Sequence, residues 1–360
     1  MTDIAEPRTS GGVAITAPRR PRLPYPLVLP VLAALVAVAA TAGIAAGSVG
    51  VPAGEVWGIL AHRLHPALAD PTWTPVRETI VIDVRLPRVL LCGVVGAGLS
   101  VCGMALQALV RNPLADPMLL GVSSGATVGA VVVVVFGLTL FGPFSLPLAA
   151  FCGALAALVA VYLLAHSGGR MTTVRLVLAG VATAEVLSAV ASYLVVTSDD
   201  PHAAESALRW MLGGLGGTTW DLLPIPAAAV LAGTAVLLGV SRPLNLLLAG
   251  EEAAAALGLT VHRFRAAMFV LVALMIGTMV AVSGSIGFVG LIMPHIVRLL
   301  VGADHRRALP AAALLGAAFL IVADLAARTL ISPEEIPVGI ITALVGGPFF
   351  LWLMRRRAAS

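Results

Sequence analysis

Long apolar runs with almost no charge leave this chain few folds to choose from. A helix needs about 20 apolar residues to cross the hydrocarbon core of a bilayer. In that core only helices and closed barrels satisfy every backbone polar group. The run from Leu27 to Gly47 is long enough to cross, and too long for the ~7–15-residue apolar stretch of a cleaved signal peptide. Nine more runs follow, at 87–109, 118–141, 146–166, 174–197, 222–240, 266–283, 286–302, 308–326 and 337–354. Composition agrees, since 59% of the 360 residues are hydrophobic and 11% are charged. Soluble domains average about 45–50% apolar and about 25% charged. A soluble enzyme, a disordered chain and a disulfide scaffold are thereby excluded. The expected fold is an all-α integral membrane protein of ten transmembrane helices over 27–356. A polar, Pro- and Arg-rich tail, 1–26, is expected to be disordered, and 357–360 forms a short second tail.

Charge placement orients the spans. All 22 basic residues are arginine. Between the predicted spans, one side holds Arg63, Arg77, Arg85, Arg88, Arg209 and Arg328, and the other side holds the remaining arginines of the 22. The positive-inside rule makes that richer side cytoplasmic, and ten spans put both termini there. The absence of lysine has a further consequence. A phosphate-binding loop of the G-x-x-x-x-G-K-[ST] type needs its lysine on the nucleotide phosphates, so this chain cannot carry one. If ATP drives it, another subunit binds the ATP. Cys92, Cys102 and Cys152 lie singly in apolar runs and read as small packing residues.

Several local patterns stand out. Arg111-Asn112-Pro113-Leu114-Ala115-Asp116-Pro117 is a turn, because two prolines stop any helix. Gly121, Gly125 and Gly129 follow at four-residue spacing, which lets helices approach closely. Glu251-Glu252-Ala253-Ala254-Ala255-Ala256-Leu257-Gly258 predicts a short surface helix, with acids at its start and glycine at its end. The segment 198–221 contains an amphipathic stretch and then a Gly-rich turn, and 48–86 is expected to lie on the membrane face. Acids within spans are functional candidates by default. Glu185 sits near mid-membrane, and Asp324 with Arg328 forms an i, i+4 pair. His295 and Arg298 share a helix face. Spans two to five against seven to ten form the natural division into inverted repeats.

Together these residues resemble the permeases of iron-chelate (siderophore) and vitamin B12 ABC importers, the FecCD type. The matching segments run in order from RLPRVLLCGVVGAGLSVCGMALQALVRNPLADPMLLGVSSGATVGA (85–130) through RLVLAGVA (175–182) and WMLGGLGGTTW (210–220). They continue with GEEAAAALGL (250–259), GFVGLIMPHIVRLLVGADHR (287–306) and ADLAARTLISPEEIPVGIITALVGGPFFLWLMRR (323–356). The resemblance implies a non-catalytic, multi-pass transport subunit of the bacterial cytoplasmic membrane. It would pair with a second permease, identical or paralogous, and with two copies of an ATPase that holds ATP and Mg. An extracytoplasmic binding protein would deliver the cargo. No cofactor, metal or nucleic acid is implied for this chain, and lipid surrounds it. Carried over by position, Arg85, Arg88 and Arg328 dock the binding protein. Glu251, Glu252, Ala253, Ala254 and Gly258 couple to the ATPase, while Asn112, Leu114, Thr172 and Thr173 gate the path. The expected cargo is an iron(III)-siderophore, with cobalamin or haem as alternatives.

Three other readings compete with this one. A proton-coupled secondary transporter would use Glu185 as its carrier. A membrane enzyme would need Ser124 or His295 to be catalytic, without a Ser/His pair in supporting context. An exporter of the same class would have no use for arginines on the outer face.

Overall fold

The computed structural model describes residues 24–47, 49–116, 118, 121–165 and 173–358. Most of the predicted 1–26 tail and Thr172 lie outside the described residues. The described part is helical. Eight helices, or joined helical stretches, are long and apolar enough to cross a membrane, and Val122–Phe136 and Val289–Val301 are shorter apolar helices. The ten spans are α1 (Tyr25–Ala45), α4 (Leu86–Val110), α5 (Val122–Phe136), α6 (Ser145–Ala165), α7 (Thr173–Val196), α9 (Pro224–Gly239), α12 (Val261–Ser283), α13 (Val289–Val301), α14 (His305–Thr329) and α15 (Val338–Ala358). Short helices join them: α2 (Ala53–Leu64), α3 (Pro75–Thr79), α8 (Pro201–Met211), α10 (Ser241–Ala249) and α11 (Glu251–Ala256). An even number of spans puts both chain ends on one side, called the terminal side below. The opposite side is the far side.

The core forms where helices approach closely enough to lose a side chain between them. A Cβ on Gly96 of α4 would run into the carbonyl of Gly316 in α14, and one on Gly103 into the carbonyl of Gly290 in α13. Gly125 and Gly129 of α5 meet Gly153 and Ala149 of α6 in the same way. This is how small residues permit packing in lipid, where hydrophobic burial does not drive association. Of the glycines at four-residue spacing, Gly125 and Gly129 therefore belong to the α5–α6 contact. Of the long spans, the helical stretch that contains α4 is the most enclosed and α7 the least.

The two short spans are the third and the eighth, in corresponding places of the division between spans two to five and seven to ten. Both begin inside the bundle. Gly290 packs on Gly103, seven residues or about 10 Å inside the end of α4. The ring of Phe288 lies against Gly346, well within α15. At the other break, Gly121 approaches the carbonyl of Gly180 in α7. The two breaks meet, because Ser123 in the first turn of α5 donates to Ser285 Oγ at 3.0 Å. Discontinuous helices that meet inside an inverted-repeat bundle are a feature of transport proteins.

The segments predicted to lie on the membrane face are partly helical: α2 and α3 within 48–86, and α8 within 198–221. Glu55 of α2 is bound by Arg77 at 2.7 Å, and the side chain of Asp200 caps α8. The glycine contacts predict a contrast between two substitutions. Gly103→Ala should cost about 1–3 kcal/mol by overpacking and lower the thermal midpoint of the detergent-solubilised protein. Gly54→Ala, which meets nothing within 4 Å, should leave the midpoint unchanged or raise it.

Candidate functional site

The far-side arginines are drawn inward by the backbone carbonyls at the end of α1. The last carbonyls of α1 lack intrahelical donors and carry the negative end of the helix dipole. Arg85 supplies donors to Ile44 O at 2.8 Å, to Ala45 O at 3.1 Å and also to Val49 O. Arg328 donates to Gly43 O at 2.8 Å and Ala46 O at 3.3 Å. The fork of guanidinium donors suits this task in a way that a lysine would not. Arg85 and Arg328 are accordingly 5% and 7% exposed.

Asp324 organises the same cluster. Its Oδ1 accepts from Arg88 Nε at 3.0 Å and Nη2 at 2.9 Å, and its Oδ2 lies 2.9 Å from Arg328 Nε. The i, i+4 pair read from the sequence is thus one half of a three-membered cluster. Arg88 also reaches Glu335, at 2.9 Å, in the turn before α15. Glu335 is the exposed member, with 47% of its side chain accessible against 11% for Arg88 and 1% for Asp324. The structure brings Arg85, Arg88 and Arg328 together, with every one engaged inside this chain. A pocket of about 190 Å³, lined by Val84, the three arginines, Pro333 and Glu335 among others, opens beside them.

On the terminal side the predicted short helix is α11. Gly250 and Gly258 bracket it with positive φ, at 120° and 86°. The amide of Leu259 bonds to Ala254 O at 3.0 Å and that of Gly258 to Ala255 O at 2.9 Å, a glycine-terminated helix end. Ala254 is fully buried against the bundle, while Glu252, Ala253, Ala255, Ala256 and Gly258 face outward with Leu257, which is 69% exposed. Glu251 is turned back to Arg265 at 2.7 Å, and this hydrogen bond holds its carboxyl below the usual carboxylate range. Of the five residues assigned to coupling, Ala254 and Glu251 therefore anchor the helix, and Glu252, Ala253 and Gly258 present a surface.

The predicted gate loop follows α4 on the same, terminal side, with Arg111 near enough to act on Glu251. Asn112 Oδ1 accepts from the Leu114 amide at 2.9 Å, and Asp116 Oδ1 accepts from Met118 at 2.8 Å. Burial pushes the Asp116 carboxyl above its ordinary value. Leu114 is half-buried, and Thr173 is the first residue of α7. His295 stacks edge-on against Phe349, with ring centroids 5.9 Å apart.

Two connections were missed in the sequence. Gln107, buried in α4, donates to Ala115 O and Gly290 O, each at 3.3 Å, and accepts from Arg298. It ties the gate loop to the start of α13. A lone glutamine in an otherwise apolar run was the available signal. Asn245 of α10 donates to Asp304 at 2.7 Å and receives the His305 amide at 3.0 Å. The bond from Asn245 lowers the Asp304 carboxyl from its ordinary value. No spacing rule links residues 59 apart, so this contact had no sequence signal.

Removing Asp324 tests the far-side cluster. Asp324→Ala strands two buried guanidinium groups, so it should destabilise by about 3–5 kcal/mol, seen as lower yield and a lower melting midpoint. Glu335→Ala, which removes an exposed partner, should cost under about 1 kcal/mol.

Comparison with known proteins gives one consistent result. The family model described as the FecCD transport family matches residues 34–356. The cobalamin import system permease protein BtuC of Halobacterium salinarum is 46% identical over 294 residues, covering 81% of this chain and 78% of that protein. The hemin transport system permease protein HmuU of Yersinia pestis is 45% identical over 281 residues, covering 77% and 84%. A solved structure described as an inward-facing conformation of a metal-chelate type ABC transporter aligns with a TM-score of 0.79 at 33% identity, over 92% of this chain and 100% of that one.

Proposed function

The chain belongs to the FecCD transport family, and from its place there as an ABC-importer permease subunit we propose that it carries iron(III)-siderophore complexes inward. Permease subunits of this family are non-catalytic. In our reading the energy comes from ATP hydrolysis on two copies of a separate ATPase, which also hold the Mg. A second permease, identical or paralogous, closes the translocation path, and an extracytoplasmic binding protein delivers the chelate. The terminal side is the cytoplasmic side and the membrane is the cell membrane. The observation behind a metal-chelate cargo is the likeness, over nearly the whole chain, to a structure described as a metal-chelate type transporter, a class that also takes in the cargoes of the second reading. A second reading, cobalamin or haem, is favoured by the names of the two relatives above.

The machinery divides by side. On the cytoplasmic face the outward residues of α11, with Glu252 foremost, fit a groove on the ATPase. Asn112 and Leu114, with Thr172 and Thr173, form the gate. On the outer face Arg88 is the arginine best able to change partners. It would release Glu335 for a carboxylate of the binding protein, while Arg85 and Arg328 hold the end of α1 beneath it. Bidentate arginine–carboxylate pairing suits such an exchange. ATP and the loaded binding protein each favour a different state of the permease pair, and transport needs that difference.

Two experiments test this. Cells with and without the chain are offered radiolabelled iron as several ferric siderophores, and in parallel labelled cobalamin and haem. Loss of one siderophore's uptake supports the first reading, and loss of cobalamin or haem uptake alone replaces it with the second. Glu252→Arg should leave assembly of the permease intact and lower both uptake and cargo-stimulated ATPase activity by about tenfold or more, the effect of losing ~1.4 kcal/mol of coupling. Wild-type rates in that variant would remove α11 from the coupling path.

A further inference from the structure

Glu185 stands midway along α7 and is exposed, on the helix face opposite the buried residues Leu176, Gly180 and Thr183. Its carboxyl group points away from its own bundle at the depth where a charge against lipid is most costly. Ser188 and Ser192 follow at i+3 and i+7, both exposed, so the three share one face. Ser188 shares a hydrogen bond with Ser124 of α5 at 3.3 Å, which extends the polar strip onto the neighbouring span. The same face of α7 exposes Leu178 and Val181 before Glu185, so the polar strip is confined to the second half of the helix. α1 exposes Leu27, Val31, Leu35 and Val38, as a lipid-facing helix should.

We propose that this strip of Glu185, Ser188, Ser192 and Ser124 faces a water-filled path between two permease subunits, and that Glu185 makes the path selective for neutral or cationic chelates over polyanionic ones. The proposal rests on the permease reading above and narrows its cargo. A carboxylate on a hydrated wall with low-dielectric surroundings focuses negative potential into the path and lowers the local concentration of anions. The serine hydroxyls offer hydrogen bonds to a chelate's amide or hydroxamate groups without adding charge. In a pair of identical subunits the carboxylate occurs twice, once on each wall. A tris-catecholate iron complex, with three negative charges, would meet repulsion at mid-path. A trihydroxamate complex or a corrinoid would not.

Labelling of the assembled transporter in membranes tests this without any cargo. In a Cys152→Ser background, which leaves the buried Cys92 and Cys102, Ser188→Cys and Ser192→Cys are reacted separately with a cationic and an anionic methanethiosulfonate. Val38→Cys on α1 is the lipid-facing control. The expected result is reaction at 188 and 192, with the cationic reagent faster by about tenfold, and loss of that preference when Glu185→Gln is added. Two silent positions, matching the control, would show a dry face and overturn the path. Reaction without charge preference would overturn the selectivity. The chelate panel above completes the test, because a trianionic chelate carried at full rate also overturns the selectivity. Labelling does not depend on which cargo is carried, so failure of the iron-siderophore reading and failure of this inference remain distinguishable.

Discussion

In hydrocarbon a backbone carbonyl or amide has no water to bond, and that constraint explains most of the polar residues in this bundle. Unbroken spans satisfy themselves. The exceptions are helix ends and breaks, and several are served by a side chain from another element. Arg85 and Arg328 take the carbonyls at the end of α1. Gln107 takes the carbonyl of Ala115, in the loop after α4, and that of Gly290, in the first turn of α13, where Pro294 has no amide to offer. Charged groups recruited in this way then need partners of their own. Asp324 exists among Arg88 and Arg328 for that reason, and it is fully buried.

Much of this was legible. Span number and order follow from runs of apolar residues, because the bilayer sets a length that any crossing helix must meet. The short helix at 251–256 was legible because its acids, alanines and two flanking glycines all favour the same local structure. What periodicity could not show was depth. The third run reads as an ordinary span, and the eighth differs only in being short and in carrying Pro294, His295 and Arg298; neither pattern shows where the helix begins. In the structure Gly284 to Phe288 forms no helix and only Val289–Val301 does.

The far-side arginines teach a related lesson. RLPR and ADLAAR place Arg85, Arg88 and Arg328 at span ends on one side, and the structure gathers them. Sequence could not tell that two of the three are committed to the carbonyls of α1, because that contact joins residues about 40 and about 280 positions apart. An arginine at a membrane boundary offers the same pattern whether it anchors, docks a partner or caps a neighbouring helix. Only the identity of the acceptor decides, and here the acceptors are backbone oxygens and two acids of the same chain.

The placement of these contacts gives the bundle one stiff element joined at both ends. α14 is an unbroken helix of 25 residues. At its start, Asp304 and His305 are bound by Asn245 of α10, the helix immediately before α11. At its far end, Asp324 and Arg328 bind Arg88 of α4 and the last turn of α1. Between them Gly316 and Gly96 allow backbone contact with α4 along its middle. Under the proposed coupling role, a displacement of α10 and α11 meets α14 through short, charge-assisted hydrogen bonds rather than through a flexible loop. α14 and α4 then move as one body, because close-packed interiors transmit displacement instead of absorbing it. α7 lies outside that body and is the least buried of the long spans, at 17%. In a rocking mechanism it is the span with least to lose by changing neighbours, and its exposed face carries Glu185.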